Sequence, residues 1–412
     1  MIDEKNTNDK EVFDLVTSEY EYQVSTVNLI ASENYVSENV LRALGSVFTN
    51  KYAEGLPGRR YYSGCKFVDE LENLAIERLT KLFGAEAGNV QPYSGTQANM
   101  AVYFAVLERG DHVLSMSLND GGHLSHGALV NFSGELCNFV HYGVDKKGFI
   151  DYDNVEYLAK KHKPRLIVCG ASSYSRVINF EKFREIADKV GAYLLADIAH
   201  IAGIIAAGLH PSPVSLADFI TGTTQKTLRG PRGGFILCSK NMAKAVDRSI
   251  FPGMQGGPHV NNIAAKAVCF REAMRPEFKK YICQVLKNAT AMAEEASLLG
   301  FDVISGGTDN HLLVLDLSKL GISGDKFQDM LDEVDINVTK QAVPNDRLGW
   351  SCGTSGIRVG SAAVTTRGFK EEDCRKVINA IALLRDNFNE NKEYVKEKIK
   401  LLISNFPDLF VS

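Results

Sequence analysis

Between residues 68 and 238 the sequence switches, segment by segment, between helix-spaced apolar residues and apolar runs too short for a helix. Val68, Leu71, Ala75, Leu79 and Leu82 mark one helix face that stops near Gly84. Further helices are expected over 151–161 and 180–190, the second ending at Gly191 in a left-handed cap position. Short strands are expected over 89–91, 112–116, 136–141, 166–169, 193–196, 219–221 and 234–238. Strands separated by helix-length segments imply βαβ units and a largely parallel sheet with both faces covered. After about Pro258 the pattern changes. Long helical stretches over 261–275, 279–299, 368–388 and 391–404 surround short strands near 312–317, 336–339 and 357–359, which predicts a smaller α+β domain.

A length of 412 residues predicts two or three domains. The pattern change places a larger domain up to about 275 ahead of a smaller α+β domain (276–412), with no repeat and no Pro- or Ser-rich linker to mark the boundary. At 45% hydrophobic and 23% charged residues the chain has the balance of a globular protein, not of a disordered one. Lys and Arg number 46 against 50 Asp and Glu, a formal net charge of -4, which argues against nucleic acid or an anionic membrane as the main partner. An anionic ligand must therefore be held by local donors. The first nineteen residues are charged and of mixed sign with no apolar core, and the apolar stretch 201–209 is far too short to span a bilayer. Eight cysteines without a C-x-x-C pair read as reduced thiols, and nine histidines without H-E-x-x-H suggest no metal site. The expected location is the cytoplasm.

No strand is followed by G-x-G-x-x-G, and no G-x-x-x-x-G-K-[ST] occurs, so dinucleotide and nucleoside triphosphate binding lose their usual anchors. A different phosphate site is offered by Ser94-Gly95-Thr96. Small hydroxyl residues at a strand-to-helix turn present O–H groups and free N–H groups at the positive end of a helix dipole, although such residues also serve as plain caps. Asp197 ends the apolar strand 193–196, at the carboxyl edge where open α/β sheets hold ligands. Lys226 follows the strand 219–221, between threonine-bearing turns and the rigid segment 229–234. Together these are the parts that hold pyridoxal phosphate: a lysine to bind it covalently, an acid to keep its pyridine nitrogen protonated, and a cup for its phosphate.

The chain resembles the serine hydroxymethyltransferase family nearly end to end. The motifs that carry the resemblance are 28–34, Lys51-Tyr52-Ala53-Glu54-Gly55, Arg60-Tyr61-Tyr62, Gly121-Gly122-His123-Leu124, 226–234, 305–311, Thr354-Ser355-Gly356-Ile357-Arg358 and 365–369. The resemblance implies a fold-type-I pyridoxal-phosphate transferase: a large domain with a mostly parallel seven-stranded sheet, plus a smaller α+β domain. It implies reversible transfer of the serine hydroxymethyl group to tetrahydrofolate through an external aldimine. Lys226 would carry the cofactor, and Ser94, Gly95 and Thr96 its phosphate, with Gly257 joining from a neighbouring subunit. His123 would stack on the pyridine ring, Ser172 and His200 would bond the phenolic oxygen, and Asp197 the ring nitrogen. Arg358, assisted by Ser32, would grip the substrate carboxylate, since a planar guanidinium matches it bidentately. Glu54 and Tyr52 would arrive from the partner subunit, Glu54 serving the β-hydroxyl proton. Tyr62, and Tyr61 beside the folate, would complete that wall; Leu118, Gly122, His123 and Leu124 would face the pteridine. An obligate homodimer or a dimer of dimers follows. The resemblance also adds an N-terminal arm (1–20), so that the larger domain spans 21–275.

Four departures from the family pattern stand out. Gln225 precedes the lysine where His is usual, beside the cofactor and at a position tied to substrate preference. Gly222 interrupts a threonine run, Gln341 replaces an Asn that reaches the pteridine, and Ser361-Ala362 replaces a Thr-Pro. Gln225 and Gln341 lie near substrate and folate. They leave open an alternative, a folate-independent aldolase acting on β-hydroxy amino acids such as allo-threonine.

Overall fold

The computed structural model describes residues 9–344, 346, 353–407 and 409. Seven strands form one sheet in the order Ala87–Asn89, Gly234–Cys238, Phe219–Thr223, Tyr193–Asp197, Leu166–Gly170, His112–Met116, Asn138–Tyr142. Neighbours are parallel from Phe219–Thr223 to Asn138–Tyr142, and Gly234–Cys238 runs antiparallel to both of its neighbours. The expected α/β fold is the one found. Leu166–Gly170, Phe219–Thr223 and Gly234–Cys238 are buried at every position, as strands must be when helices cover both faces of a sheet. The helices Lys66–Phe83 and Phe180–Val190 stop at Gly84 and Gly191, whose φ values of 72° and 70° suit a residue without a Cβ.

Within the seven-stranded sheet two strand expectations shift, each for a local reason; outside it the strand expected over 336–339 divides into Ile336–Asn337 and Thr339–Gln341, which join different sheets. The strand expected over 136–141 starts at Asn138, because Asn131 caps a short helix, Phe132–Leu136, that takes up the preceding residues. The strand expected over 89–91 ends at Asn89. Beyond it the Val90 and Pro92 carbonyls turn to the buried Lys266 ammonium, at 2.7 and 2.9 Å, which also reaches the Gly234 carbonyl at 2.8 Å. Burial lowers the pKa of Lys266 to about 7. Its three carbonyl acceptors match the three donors of the charged form, so we read it as an ammonium.

A second, antiparallel sheet has the order Asp302–Val303, Leu312–Asp316, Gly356–Gly360, Thr339–Gln341. Its core takes in Val27 and Leu29 from near the N-terminus, where Val27–Asn28 pairs in parallel with Ile336–Asn337. The helix Pro276–Leu298 serves both cores: Phe278, Tyr281, Ile282 and Val285 pack in the first, Met292, Ala293 and Ala296 in the second. Ahead of all this, Lys10–Ser25 forms a helix without a buried residue, and its Val12, Leu15 and Val16 are exposed. The remainder of the expected arm, residues 1–8, and Cys352 lie outside the described residues. Six of the seven described cysteines are buried, and all seven are free. Among the described residues no helix is long and apolar enough to cross a membrane.

Strand order reverses direction between His112–Met116 and Leu166–Gly170. Loops leaving the carboxyl ends of strands on the two sides of such a point diverge and leave a crevice. Here those loops carry Leu118 to Leu124 and Ala171 to Ser173.

Candidate active site

A cleft of about 340 Å³ opens at this crevice. It is lined by Ser94, Gly95 and Thr96; by Leu118, Gly122, His123 and Leu124; by Ser172, Asp197 and His200; by Gln225 and Lys226; and, from the second sheet and the N-terminal segment, by Gln341, Arg358 and Ser32. Residues more than three hundred apart in the chain thus meet in one place.

The anion cradle is the N-terminus of the helix Gly95–Val106. Ser94 caps it, its Oγ accepting from Gln97 N–H at 3.2 Å, while the Gly95 and Thr96 N–H groups donate to no described acceptor. A Cβ on Gly95 would stand 2.7 Å from the Thr223 methyl, so the floor of the cradle is backbone.

Asp197, at the end of its strand, is buried yet fully supported. Its Oδ2 accepts from His126 Nε2 at 2.9 Å and from Asn99 Nδ2 at 2.8 Å, and its Oδ1 from Ala199 N–H at 3.0 Å. Burial opposes ionisation, but the His126 bond and charge, the charge of His123 and the Asn99 amide outweigh it and hold the carboxyl well below its usual range. The nearby His126 Nδ1 accepts from the His123 N–H, which assigns the hydrogen of a neutral His126 to Nε2, facing the aspartate. His123 is itself pushed down to about 4, chiefly by burial, and its Nδ1 meets Ser125 Oγ at 2.7 Å.

Lys226 is buried, and its ammonium forms no hydrogen bond or ion pair among the described residues. Burial lowers its pKa to about 8 against the opposing charge of Asp197, so a useful fraction is the free amine near neutral pH. Its carbonyl is held by Asn34 Nδ2 at 2.9 Å. Arg358, on the strand Gly356–Gly360, is buried with Nη1 2.8 Å from the Ser172 carbonyl and 3.4 Å from Ser173 Oγ. Its Nε is buried without a partner, and its Nη2 has no described acceptor, which leaves one edge of the guanidinium fork open. Free N–H groups at a helix end, an unpaired amine, a buried carboxylate and an open guanidinium edge match the phosphate, carbonyl and pyridine nitrogen of pyridoxal phosphate and the carboxylate of an amino acid.

Five expected residues lie elsewhere. Tyr52, Glu54, Tyr61, Tyr62 and Gly257 line no part of the cleft within one chain. They cluster apart from it. Tyr52 Oη lies 3.3 Å from Glu54 Oε1, and the Glu54 carboxylate raises the phenol's pKa. The Tyr52 and Tyr62 rings meet edge to face at 5.1 Å, Tyr61 meets Phe251 at 5.5 Å, and the Gly257 carbonyl accepts from Tyr93 Oη at 2.7 Å. Tyr52, Tyr61 and Tyr62 are 59%, 75% and 48% exposed, an unusual display of aromatic surface.

The departures acquire physical reasons. Gly222 packs so closely that a Cβ would sit 2.3 Å from the Phe235 ring. Gln225 Oε1 accepts from Gly233 N–H at 3.2 Å. Gln341 Oε1 accepts from Ser173 Oγ, and its Nε2 donates to the Ala342 carbonyl at 3.1 Å. Ser361 secures its own turn, its hydroxyl bonded to the Val285 carbonyl at 2.8 Å. Sequence reasoning missed the supports of Asp197, namely Asn99 and His126, as well as Ser173, Thr223, Arg232 and Thr339, which also line the cleft. The spacing of His123 and His126 was the available signal for one of them.

The fold and cleft define a fold-type-I pyridoxal-phosphate-dependent transferase. Residues 5–381 match the family model described as serine hydroxymethyltransferase. The chain belongs to the serine hydroxymethyltransferase family, whose members are typically oligomeric and act on small molecules.

Proposed function

We propose that the protein transfers the hydroxymethyl group of serine reversibly to tetrahydrofolate, giving glycine and 5,10-methylenetetrahydrofolate. The convergence of Lys226, Asp197, Arg358 and a bare helix N-terminus in one cleft is the observation that supports this best. Pyridoxal phosphate, when bound, supplies an electron-accepting ring conjugated to the amino-acid nitrogen. Lys226 Nζ would hold it covalently, and once displaced by the substrate amine would be a free amine beside the site, able to accept or return a proton. Gly95 and Thr96 N–H groups with the Ser94 and Thr96 hydroxyls hold its phosphate, joined by Gly257 of a second copy. Asp197, charged and braced by His126, would keep a proton on the ring nitrogen; His123 would cover the ring face, and Ser172 and His200 would meet the phenolic oxygen. Arg358 and Ser32 would bind the serine carboxylate and so orient the amino acid at Cα.

The Tyr52–Glu54–Tyr62 cluster, exposed in one chain, completes the cleft of a second copy in a homodimer or dimer of dimers. There Glu54 moves the proton of the β-hydroxyl oxygen as the Cα–Cβ bond breaks. Tyr61, Leu118, Gly122, Leu124 and Gln341 flank the folate. The division into an arm, a larger unit and a smaller one, and a cytoplasmic location, belong to the same reading. One observation favours the second reading, a folate-independent aldolase: the Gln341 amide is already bonded on both oxygen and nitrogen within the chain. Carbon-13 NMR of serine labelled at Cβ separates the two. Label should pass to methylenetetrahydrofolate only with folate present. Cleavage of allo-threonine without folate at a kcat/KM equal to or above that for serine with folate would overturn the proposal.

A further inference from the structure

His311 belongs to none of the roles above. It is fully buried just ahead of the strand Leu312–Asp316, and its carbonyl is fixed by Ser361 N–H at 2.9 Å and Ser361 Oγ at 3.3 Å. Its ring stacks on His200, with centroids 5.5 Å apart and planes 26° from parallel. His311 Nε2 lies 3.2 Å from the Ala31 carbonyl and 3.3 Å from His200 Nδ1, while its Nδ1 is buried without a partner.

A carbonyl oxygen only accepts, so His311 Nε2 carries hydrogen. The facing His200 Nδ1 cannot then carry one as well; it accepts, and the single hydrogen of a neutral His200 sits on Nε2. Both rings are held neutral. Burial, with the charges of Arg358 and Lys226, pushes His311 down to about 3, and burial with the charges of Lys226 and Arg358 also depresses His200. Thr227 Oγ1 ties the His200 carbonyl at 2.9 Å, fixing the backbone that carries the ring. His200 Nε2 has no described partner and His200 lines the cleft.

We propose that His311 is a positioning residue that locks His200 as its Nε2–H tautomer, so that His200 offers the cleft a hydrogen-bond donor and never a lone pair. The group it meets must then be an acceptor, best an anionic oxygen. Resting on the reading of the cleft given above, that oxygen is the phenolate of pyridoxal phosphate, which a donor stabilises in its charged form.

The test is nitrogen-15 NMR of histidine-labelled, cofactor-free protein, with the His200 signals assigned by their loss in His200→Asn. A protonated Nε2 and bare Nδ1 are expected at His200. His311→Phe keeps a stacked ring without the donor. It should give mixed His200 tautomers and a Kd for pyridoxal phosphate raised about tenfold, the size of one weakened bond to an anion. His311→Gln, whose Nε2 can stand in for the ring N–H, should restore the tautomer and bring the Kd back to within about threefold of the parent. A proton on His200 Nδ1 in the parent protein, or an unchanged tautomer in His311→Phe, overturns the inference. If the Phe variant does not fold, the parent spectrum and the Gln variant still decide. An Nε2–H tautomer in a protein that binds no pyridoxal phosphate would support the positioning role while removing the functional reading.

Discussion

Replacing Arg358 by leucine tests the substrate grip where the structure makes its size calculable. Arg358 is 6% exposed, and its guanidinium spends Nη1 on Ser172 and Ser173, leaving Nε and Nη2 as the open edge. Burial draws its pKa to about 10, which leaves it cationic at neutral pH. Two charge-assisted bonds to a carboxylate at about 1.5–3 kcal/mol each total about 3–6 kcal/mol. At about 1.4 kcal/mol per decade, kcat/KM for serine should fall by about a hundredfold to ten-thousandfold. The assay is steady-state turnover of serine, run beside 2-aminoethanol, which keeps the amine and hydroxyl but lacks the carboxylate. The aminoethanol rate should change by no more than about threefold, and cofactor affinity likewise, since neither uses the open edge. A fall in serine kcat/KM smaller than about tenfold, or an equal fall for both substrates, would refute the grip, because a lost carboxylate contact cannot act on a substrate without one.

Capture of pyridoxal phosphate by cofactor-free protein should speed up with pH and level off near 8, because the reacting form of Lys226 is the free amine and burial brings its pKa to that value. A rate still climbing steeply above pH 9, followed by stopped-flow absorbance, would show an ordinary exposed lysine instead. Hybrid formation tests the shared cleft. Lys226→Ala and Glu54→Gln proteins should each be inactive, yet random mixing of their subunits should recover about a quarter of the parental activity, since half of the dimers then hold one intact site in two. No recovery despite proven subunit exchange would place Glu54 and Lys226 in the same chain's site.

Much of this is legible in the sequence alone. Asp197 and Lys226 could be placed because each follows an apolar strand of recognisable length, and the carboxyl ends of such strands converge on one edge of a parallel sheet. Gly191 announced its helix end through the one backbone conformation that favours glycine. What resisted reading was non-local. Asn99 sits mid-helix in an apolar stretch, and only the fold shows that it bridges Thr221 to Asp197. His311 touches Ala31 and His200 across sequence separations of 280 and 111 residues, a contact no local pattern encodes. The helix Lys10–Ser25 escaped for another reason: Val12, Leu15 and Val16 stand at helical spacing, but charged residues of both signs surround them and nothing within the chain buries them.

The helix Pro276–Leu298 has a consequence for how this chain could be dissected. The change in sequence pattern invites a cut just before it, but such a cut would strip Phe278, Tyr281, Ile282 and Val285 from the first core and leave an apolar trough open to water. A cut after the helix would instead deprive the second core of Met292, Ala293 and Ala296. Either fragment would be prone to self-association. The two halves therefore share one spine: unfolding begun in either core must strain the rod that the other depends on, and the chain should melt as a single cooperative unit instead of two.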